Sequence, residues 1–469
     1  MTMRSAMSKW MTAGLAALVA IGMAVGPGVI EAPTASAEPA PPRDAFYDLP
    51  GGWASTAPGA ILKSRPVNIR AAQLLPLNVR AWQLLYRSTA ADGSPYAAVT
   101  TVMIPKGTVK PRPLLSYQAA TDSVLRICNP SYALVTGSIV NTADPAGPVT
   151  FALPAAEIAF AAAGLQQGWA VAMPDHGGVD NRFLTPRQPG FAVLDGIRAV
   201  QHFQPVGLNS RVPVGLWGYS GGAIASSWTV EEQPTYAPEV NIQGAAFGAA
   251  ERDLAGSLRA VNRTPLAGLV PLAFGAVLKD QPELDPVLAK YVTPQGRRII
   301  AETRNHCLAQ NVLSNLEFDY RPYLTKPLDV VLADPQVKAA FDSRGISGRH
   351  PTAPVYVYNG VTEEVSPIAG EDKLVQSYCS GGTPVTYRRE QIPPRPVPEL
   401  MTTHGVVAIT GAPNAFAWLK TRLAPGASRP KGCDIQTVPT SLLTPQALAT
   451  LGPSFIGNTL LAAIGQPLG

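Results

Sequence analysis

The chain of 469 residues is poor in charge: Asp, Glu, Lys and Arg make up only 15% of it, against 46% hydrophobic residues. It has five histidines, four cysteines and no long run of lysine or arginine. The formal net charge of +5 is therefore not gathered into a basic patch, and there is no case for nucleic-acid binding. No Cys-x-x-Cys pair and no cluster of histidines occurs, which argues against a metal site. Internal repeats are absent. Beyond the first thirty residues no segment reads as membrane-spanning.

Proline (47 residues) and glycine (42 residues) are abundant instead, as in loop-rich exported proteins. Residues 1–37 read as a secretory signal. Arg4 and Lys9 form the positive start, Ala13–Val25 the apolar run and Ala35–Ala37 a small-residue cleavage site. Pro27, between Gly26 and Gly28, argues against a continuous spanning helix. Cleavage near Ala37 removes Arg4, Lys9 and Glu31 and leaves 35 basic and 31 acidic residues. An even cysteine count in an exported chain suggests two disulfides, with three connectivities open.

The length allows one large domain with an inserted subdomain, or two domains. Residues 38 to about 60 are rich in Pro, Ala and Gly and read as an extended lead-in. From Ala81 strand and helix signals alternate. Strands are expected at Ala98–Pro105, Pro113–Ala119, Trp169–Asp175, Val212–Tyr219 and Val240–Ala249, and helices at Ala155–Gly168 and Phe191–Phe203. This alternation predicts a mostly parallel, doubly wound α/β sheet covered on both faces, begun within residues 38–250. Residues 251–352 show no convincing strand but several helical patterns, among them Pro265–Leu278, "LDPVLAKYV" and "RRIIAETRNHCLAQNVL", and read as an inserted cap. The strands resume within 353–469, at Ala353–Gly360 and Pro384–Glu390. The apolar tail Leu442–Leu468 reads as a final helix with a covering flap.

One junction carries chemistry. In "VPVGLWGYSGGAIASSWTV" a strand pattern ends in Gly218-Tyr219-Ser220-Gly221-Gly222, and a helix running to about Gln233 follows. A serine in a strained strand-to-helix turn needs small neighbours at minus two and plus two, here Gly218 and Gly222. An ordinary glycine-rich turn would look the same, so the rest of the chain must decide.

A serine nucleophile needs a base, and the base needs an acid to hold its tautomer. In doubly wound hydrolases the chain order is serine, acid, histidine. Of His176, His202, His306, His350 and His404, only His404 lies beyond the resumed strand at 353–360, after the last strand signal and before a helical pattern. The acid should follow that strand, where Glu363 and Glu364 stand in "VTEEVSP", with Asp372 further on. Residue logic leaves the two glutamates nearly tied. An oxyanion needs preset donors: the Gly221 N–H at the helix N-terminus and a group from the loop "ATDSVLRICNPSY". No HGGG motif identifies that second donor.

Taken together, "SYQAATDSVLRICNPSY", "GYSGGA", the helical insertion, "TEEVSP" and the late "TTHG" resemble the secretory lipase family of lipase A-type fungal enzymes and actinobacterial relatives. The resemblance runs from Asp44–Gly52 to the final histidine region. It implies an α/β-hydrolase fold with a helical cap and carboxylester hydrolysis without a cofactor. It further implies Ser220 as nucleophile, His404 as base, and Asp122 with Gly221 in the oxyanion hole. Glu363 falls where the family usually has aspartate, and Glu364 stays open as an alternative. The implied disulfides are Cys128–Cys307 and Cys379–Cys433. The expected substrate is a lipid ester, with transient contact at a lipid interface and no nucleic acid. Two other readings use the same scaffold: an acyltransferase passing the acyl group to an alcohol, and a non-catalytic surface-binding protein.

Overall fold

A computed structural model describes residues 44–107, 112–136, 151–394 and 402–450. The signal at residues 1–37 and the tail beyond Thr450 lie outside these described residues. Ten strands form the main sheet: β1 (Ile61–Val67), β2 (Val79–Thr89), β3 (Pro95–Pro105), β4 (Leu114–Gln118), β5 (Ala170–Pro174), β6 (Val214–Tyr219), β7 (Ile242–Gly248), β8 (Val355–Gly360), β9 (Val385–Glu390) and β10 (Cys433–Val438). Their spatial order is β1-β2-β3-β5-β4-β6-β7-β8-β9-β10. The first pairings, up to β3 with β5, are antiparallel, and every pairing from β5 to β10 is parallel.

The central parallel strands β4, β5, β6 and β8 are buried at every position. A parallel strand with both faces covered shows an unbroken apolar run, which is why these strands stand out in the sequence. Helices α1 (Pro154–Gln166), α2 (Gln188–His202) and α3 (Gly221–Tyr236) connect them. Two large apolar clusters form, one including Leu84, Val102, Leu216 and Phe247, the other Met103, Trp217, Tyr356 and Phe416.

Between β7 and β8 come seven helices and no strand of the main sheet: α4 (Leu254–Val261), α5 (Leu269–Asp280), α6 (Asp285–Tyr291), α7 (Pro294–Glu302), α8 (Leu308–Ser314), α9 (Leu328–Leu332) and α10 (Pro335–Asp342). They have their own apolar cluster around Leu258, Val270, Phe274 and Ile300. After β8 come α11 (Ile368–Ser380) and α12 (Thr403–Leu423).

Four sequence expectations need correction. Strand signals are read only from Ala81, yet an edge strand, β1, already forms at Ile61–Val67, where Lys63, Arg65 and Pro66 hide its β character. "RRIIAETRNHCLAQNVL" is not one helix, because the chain is extended at His306 and Cys307 between α7 and α8. The helix after Ser220 runs past Gln233 to Tyr236. His404 does not follow the last strand, since β10 lies beyond it as an exposed edge paired to β9.

Cys128 and Cys307 are bonded with Cα atoms 5.6 Å apart across 179 residues, and Cys379 and Cys433 with Cα atoms 6.1 Å apart across 54. The first bond joins the loop after β4 to the start of α8; the second fastens edge strand β10 to α11. Among the described residues no helix is long and apolar enough to cross a membrane.

Candidate active site

Strand β6 ends at Tyr219 and helix α3 begins at Gly221, so Ser220 takes the whole change of direction, at φ 54° and ψ −124°. A non-glycine residue with positive φ is strained and persists only where its surroundings enforce it. Here the enforcement is close backbone approach. A Cβ on Gly218 would lie 2.4 Å from the Gly222 carbonyl oxygen, and one on Gly222 would lie 2.0 Å from that of Gln118. A Cβ on Gly221 would overlap Asp122 Oδ1, at 1.6 Å. The three glycines thus have separate duties: two let strand, helix and β4 close up, and the third makes room for Asp122.

His404 sits in the first turn of α12, which Thr402 caps by accepting the Gly405 N–H at 3.2 Å. Its Nδ1 is hydrogen-bonded to Glu363 Oε1, and the other Glu363 oxygen accepts the Ser366 N–H. Glu364 has a different task, accepting the backbone N–H of His404 with both oxygens at 3.4 Å. The structure therefore separates the two glutamates: Glu363 meets the ring and Glu364 the main chain. Asp372 is engaged elsewhere, 3.1 Å from Arg389.

A helix N-terminus disfavours an imidazolium, and burial also pulls the His404 pKa down. The charge of Glu363 and its hydrogen bond, with Glu364 and Asp122 adding, outweigh burial and leave the pKa raised. Tyr219 ties this histidine to the elbow. Its hydroxyl donates to the His404 carbonyl at 2.8 Å, and the two rings lie 5.0 Å apart. Among the described residues no hydrogen bond joins Ser220 to His404. Such contacts are commonly looser before substrate binds.

The loop after β4 is held from several sides. Glu157 on α1 accepts the Tyr117 hydroxyl at 2.9 Å and the Ala120 N–H at 3.1 Å, while His176 Nε2 meets the Ala119 carbonyl at 2.7 Å. Asp122 follows with φ 36°, 3% exposed, its Oδ1 buried without a hydrogen-bond partner. Burial pushes its pKa up to about 7, against the opposing charge of His404. Near neutral pH its carboxyl can thus carry a proton and act as a donor. The loop is also fixed to the insertion. Lys279 on α5 donates to the carbonyls of Val124 and Asp180, both at 2.7 Å, and Ser123 donates to that of His306 at 2.9 Å.

Ser220, Gly221 and Asp122 line a cavity walled mainly by apolar residues such as Phe183, Ile224, Leu254, Phe274 and Val277. A second apolar cavity lies within the insertion and shares Leu258, Val270 and Phe274 with the first. Neither the clamps of Glu157 and His176 nor the lysine anchor was readable in the sequence. Apart from the Tyr117 hydroxyl, their partners are backbone groups, which leave no side-chain pattern.

The family described as Secretory lipase matches residues 147–429, more than half of the chain. Lipase A of Arthroderma benhamiae is 35% identical over 443 residues, covering 93% of this chain and 91% of the relative. The chain belongs to the secretory lipase family. A Mycobacterium tuberculosis protein named "Probable inactive lipase MT1628" is 36% identical, covering 82% of each chain. "Secreted triacylglycerol lipase LIP3" of Malassezia globosa is 31% identical, again covering 82% of each. Among solved structures, Candida antarctica lipase A superposes with a TM-score of 0.74 at 26% identity, covering 90% of this chain and 96% of that one. The fold of this secretory lipase is that of the α/β-hydrolases, and membership of the family makes it a carboxylic ester hydrolase acting on lipid esters.

Proposed function

We propose that this secretory lipase hydrolyses lipid esters through an acyl-enzyme on Ser220. Ser220 attacks the ester carbonyl while His404 Nε2 takes its proton. Glu363, bonded at Nδ1, holds the tautomer that leaves Nε2 free and stabilises the imidazolium that forms. The Gly221 N–H and the protonated Asp122 carboxyl hold the oxyanion. His404 then gives its proton to the departing alcohol, and water repeats the sequence to release the acid. The observation that carries this reading is the meeting of Glu363 with the His404 ring, next to Tyr219 and the strained Ser220.

Residues 251–352 act on this reading as a cap whose apolar cavities receive the acyl chain, since a largely apolar pocket suits that substrate. Cleavage near Ala37 would release the enzyme outside the cell, where its two disulfides persist. Contact with a lipid interface through the cap belongs to the same proposal.

The test is hydrolysis of p-nitrophenyl esters from C2 to C18 by the mature protein and by Ser220→Ala. Turnover of long esters that disappears in the alanine variant is the expected result. Absence of Ser220-dependent turnover with every ester overturns the reading and leaves a catalytically silent member of the family.

A further inference from the structure

The cavity above Ser220 contains a buried carboxyl that the mechanism does not use. Glu251 follows β7, is 8% exposed, and lines this cavity with Asp122 and Ser220. Its Oε1 accepts the Asp253 N–H at 2.9 Å, whereas Oε2 is buried and has no hydrogen-bond partner. The basic groups nearby are committed elsewhere. Arg252 turns away to Glu231, Ser227 and the Gly345 carbonyl, and Lys373 faces Asp253. Burial, reinforced by the charge of Glu363, holds the Glu251 pKa well above the usual carboxylate range. Burial thus favours its protonated form, and the Ser257 hydroxyl beside the carboxyl also lines the cavity.

Other buried carboxyls differ from this one. Glu157 uses both oxygens on Tyr117 and Ala120, and Asp175 uses both on Ser131. Glu371 has an oxygen without a partner but does not line the cavity. Leaving a buried polar group unsatisfied is costly, and a ligand that satisfies it gains selectivity over one that does not.

We propose that Glu251 is a specificity-determining residue that donates from Oε2 to an oxygen on the cavity-bound part of the substrate, which is therefore an ester carrying a second oxygen acceptor near its scissile bond. The proposal rests on the ester-hydrolase reading. That oxygen can belong to the acyl chain, as a keto group, or to the alcohol, as a neighbouring carbonyl. The chemistry recognised is the same.

Two matched pairs of substrates separate these sources, read by acid release: methyl hexanoate with methyl 3-oxohexanoate, and propyl hexanoate with 2-oxopropyl hexanoate. The quantity read is the kcat/KM ratio within each pair for wild type, divided by the same ratio for Glu251→Leu, so that intrinsic ester reactivity cancels. In one pair the quotient should be about tenfold or more, and the responding pair locates the oxygen. A quotient near one in both pairs overturns the proposal.

Glu251→Gln decides the matter if the leucine variant does not fold. Its amide keeps both the acceptor for Asp253 and a donor at the Oε2 position. The wild-type preference for the keto member should then fall as pH rises and Glu251 ionises, while that of the glutamine variant stays level. Parallel pH profiles of the two ratios overturn the proposal. Failure of the underlying reading looks different, as loss of Ser220-dependent turnover of the plain esters themselves.

Discussion

Glu363 divides its carboxylate between the ring of His404 and its own loop, one oxygen on Nδ1 and the other on the Ser366 N–H. The acid is thereby fixed before the histidine is charged, and the ring has one orientation to adopt. Replacing Glu363 by Gln offers the wrong group at Nδ1 and should lower kcat/KM by about 10³- to 10⁴-fold with KM little changed. Glu364→Gln, whose carboxyl meets the His404 main chain and Thr402 but not the imidazole nitrogens, should stay within about tenfold of wild type. Esterase kinetics on the two variants make the comparison.

The pH profile should carry the mark of the same pair. On the proposed mechanism His404 acts as a base only when neutral, and its pKa is raised above the ordinary histidine value. Activity should therefore rise with pH along a limb centred above about 6.5. Glu363→Gln removes the largest raising influence, so the limb of its residual activity should move to lower pH. Profiles of kcat/KM between pH 4 and 9 would reveal either behaviour, and an unmoved limb counts against His404 as the base.

On the proposed mechanism Asp122 donates to the oxyanion only while protonated, and burial pushes its pKa up to about 7. Activity should accordingly decline above neutrality. Asp122→Asn keeps a donor that does not titrate, so that decline should vanish while the rate at pH 6 stays within about tenfold of wild type. Asp122→Ala removes the donor and should cost about 10²- to 10³-fold in kcat.

Alanine at Gly222 would push its Cβ to 2.0 Å from the Gln118 carbonyl, which is backbone and has no flexible end to move aside. Gly222→Ala should therefore lose activity and melt several degrees lower. Gly348→Ala, at a position with nothing within reach of a Cβ, should keep its activity and change stability only through its positive φ. Thermal melts together with ester turnover separate the two cases.

Stability should fall as pH rises. Asp122 and Asp175 titrate at about 7, and Glu157 and Glu371 at about 8, all raised chiefly by burial. Between the ordinary carboxylate range and pH 8 the folded chain binds more protons than the unfolded one. The slope of unfolding free energy with pH is then negative. Their contribution is complete below about pH 4 and is lost through pH 7 to 8. Melting temperatures measured from pH 5 to 8 should decline, and a rise across that window contradicts the assignment.

The legible parts of this molecule are those where physics repeats itself along the chain. Doubly covered strands such as β6 and β8 show apolar runs, and Ser220 stands between glycines that close backbone contact requires. His404 follows from chain order. What depended on the path of a loop was not legible. Glu363 and Glu364 are adjacent and chemically alike, and only the turn toward Ser366 decides which one reaches the imidazole. Strand β10 is an exposed edge with Asp434 and Gln436 among its residues, so no burial pattern marks it. Glu251 opens the segment read as an inserted cap and carries no motif of its own, yet it lines the cavity beside Ser220.

The two disulfides pair the first cysteine with the second and the third with the fourth. A chain delivered from its N-terminus therefore presents Cys307 to Cys128 before Cys379 and Cys433 have appeared. At roughly 5 to 20 residues per second, the separation of 179 positions within the first pair occupies about ten seconds or more. During that interval Cys128 is the sole thiol exposed, and no partner exists with which it could err within its own chain. Order of emergence alone thus favours the native pairing, and the enzyme can reach the outside correctly bonded with little need for a catalyst of disulfide exchange.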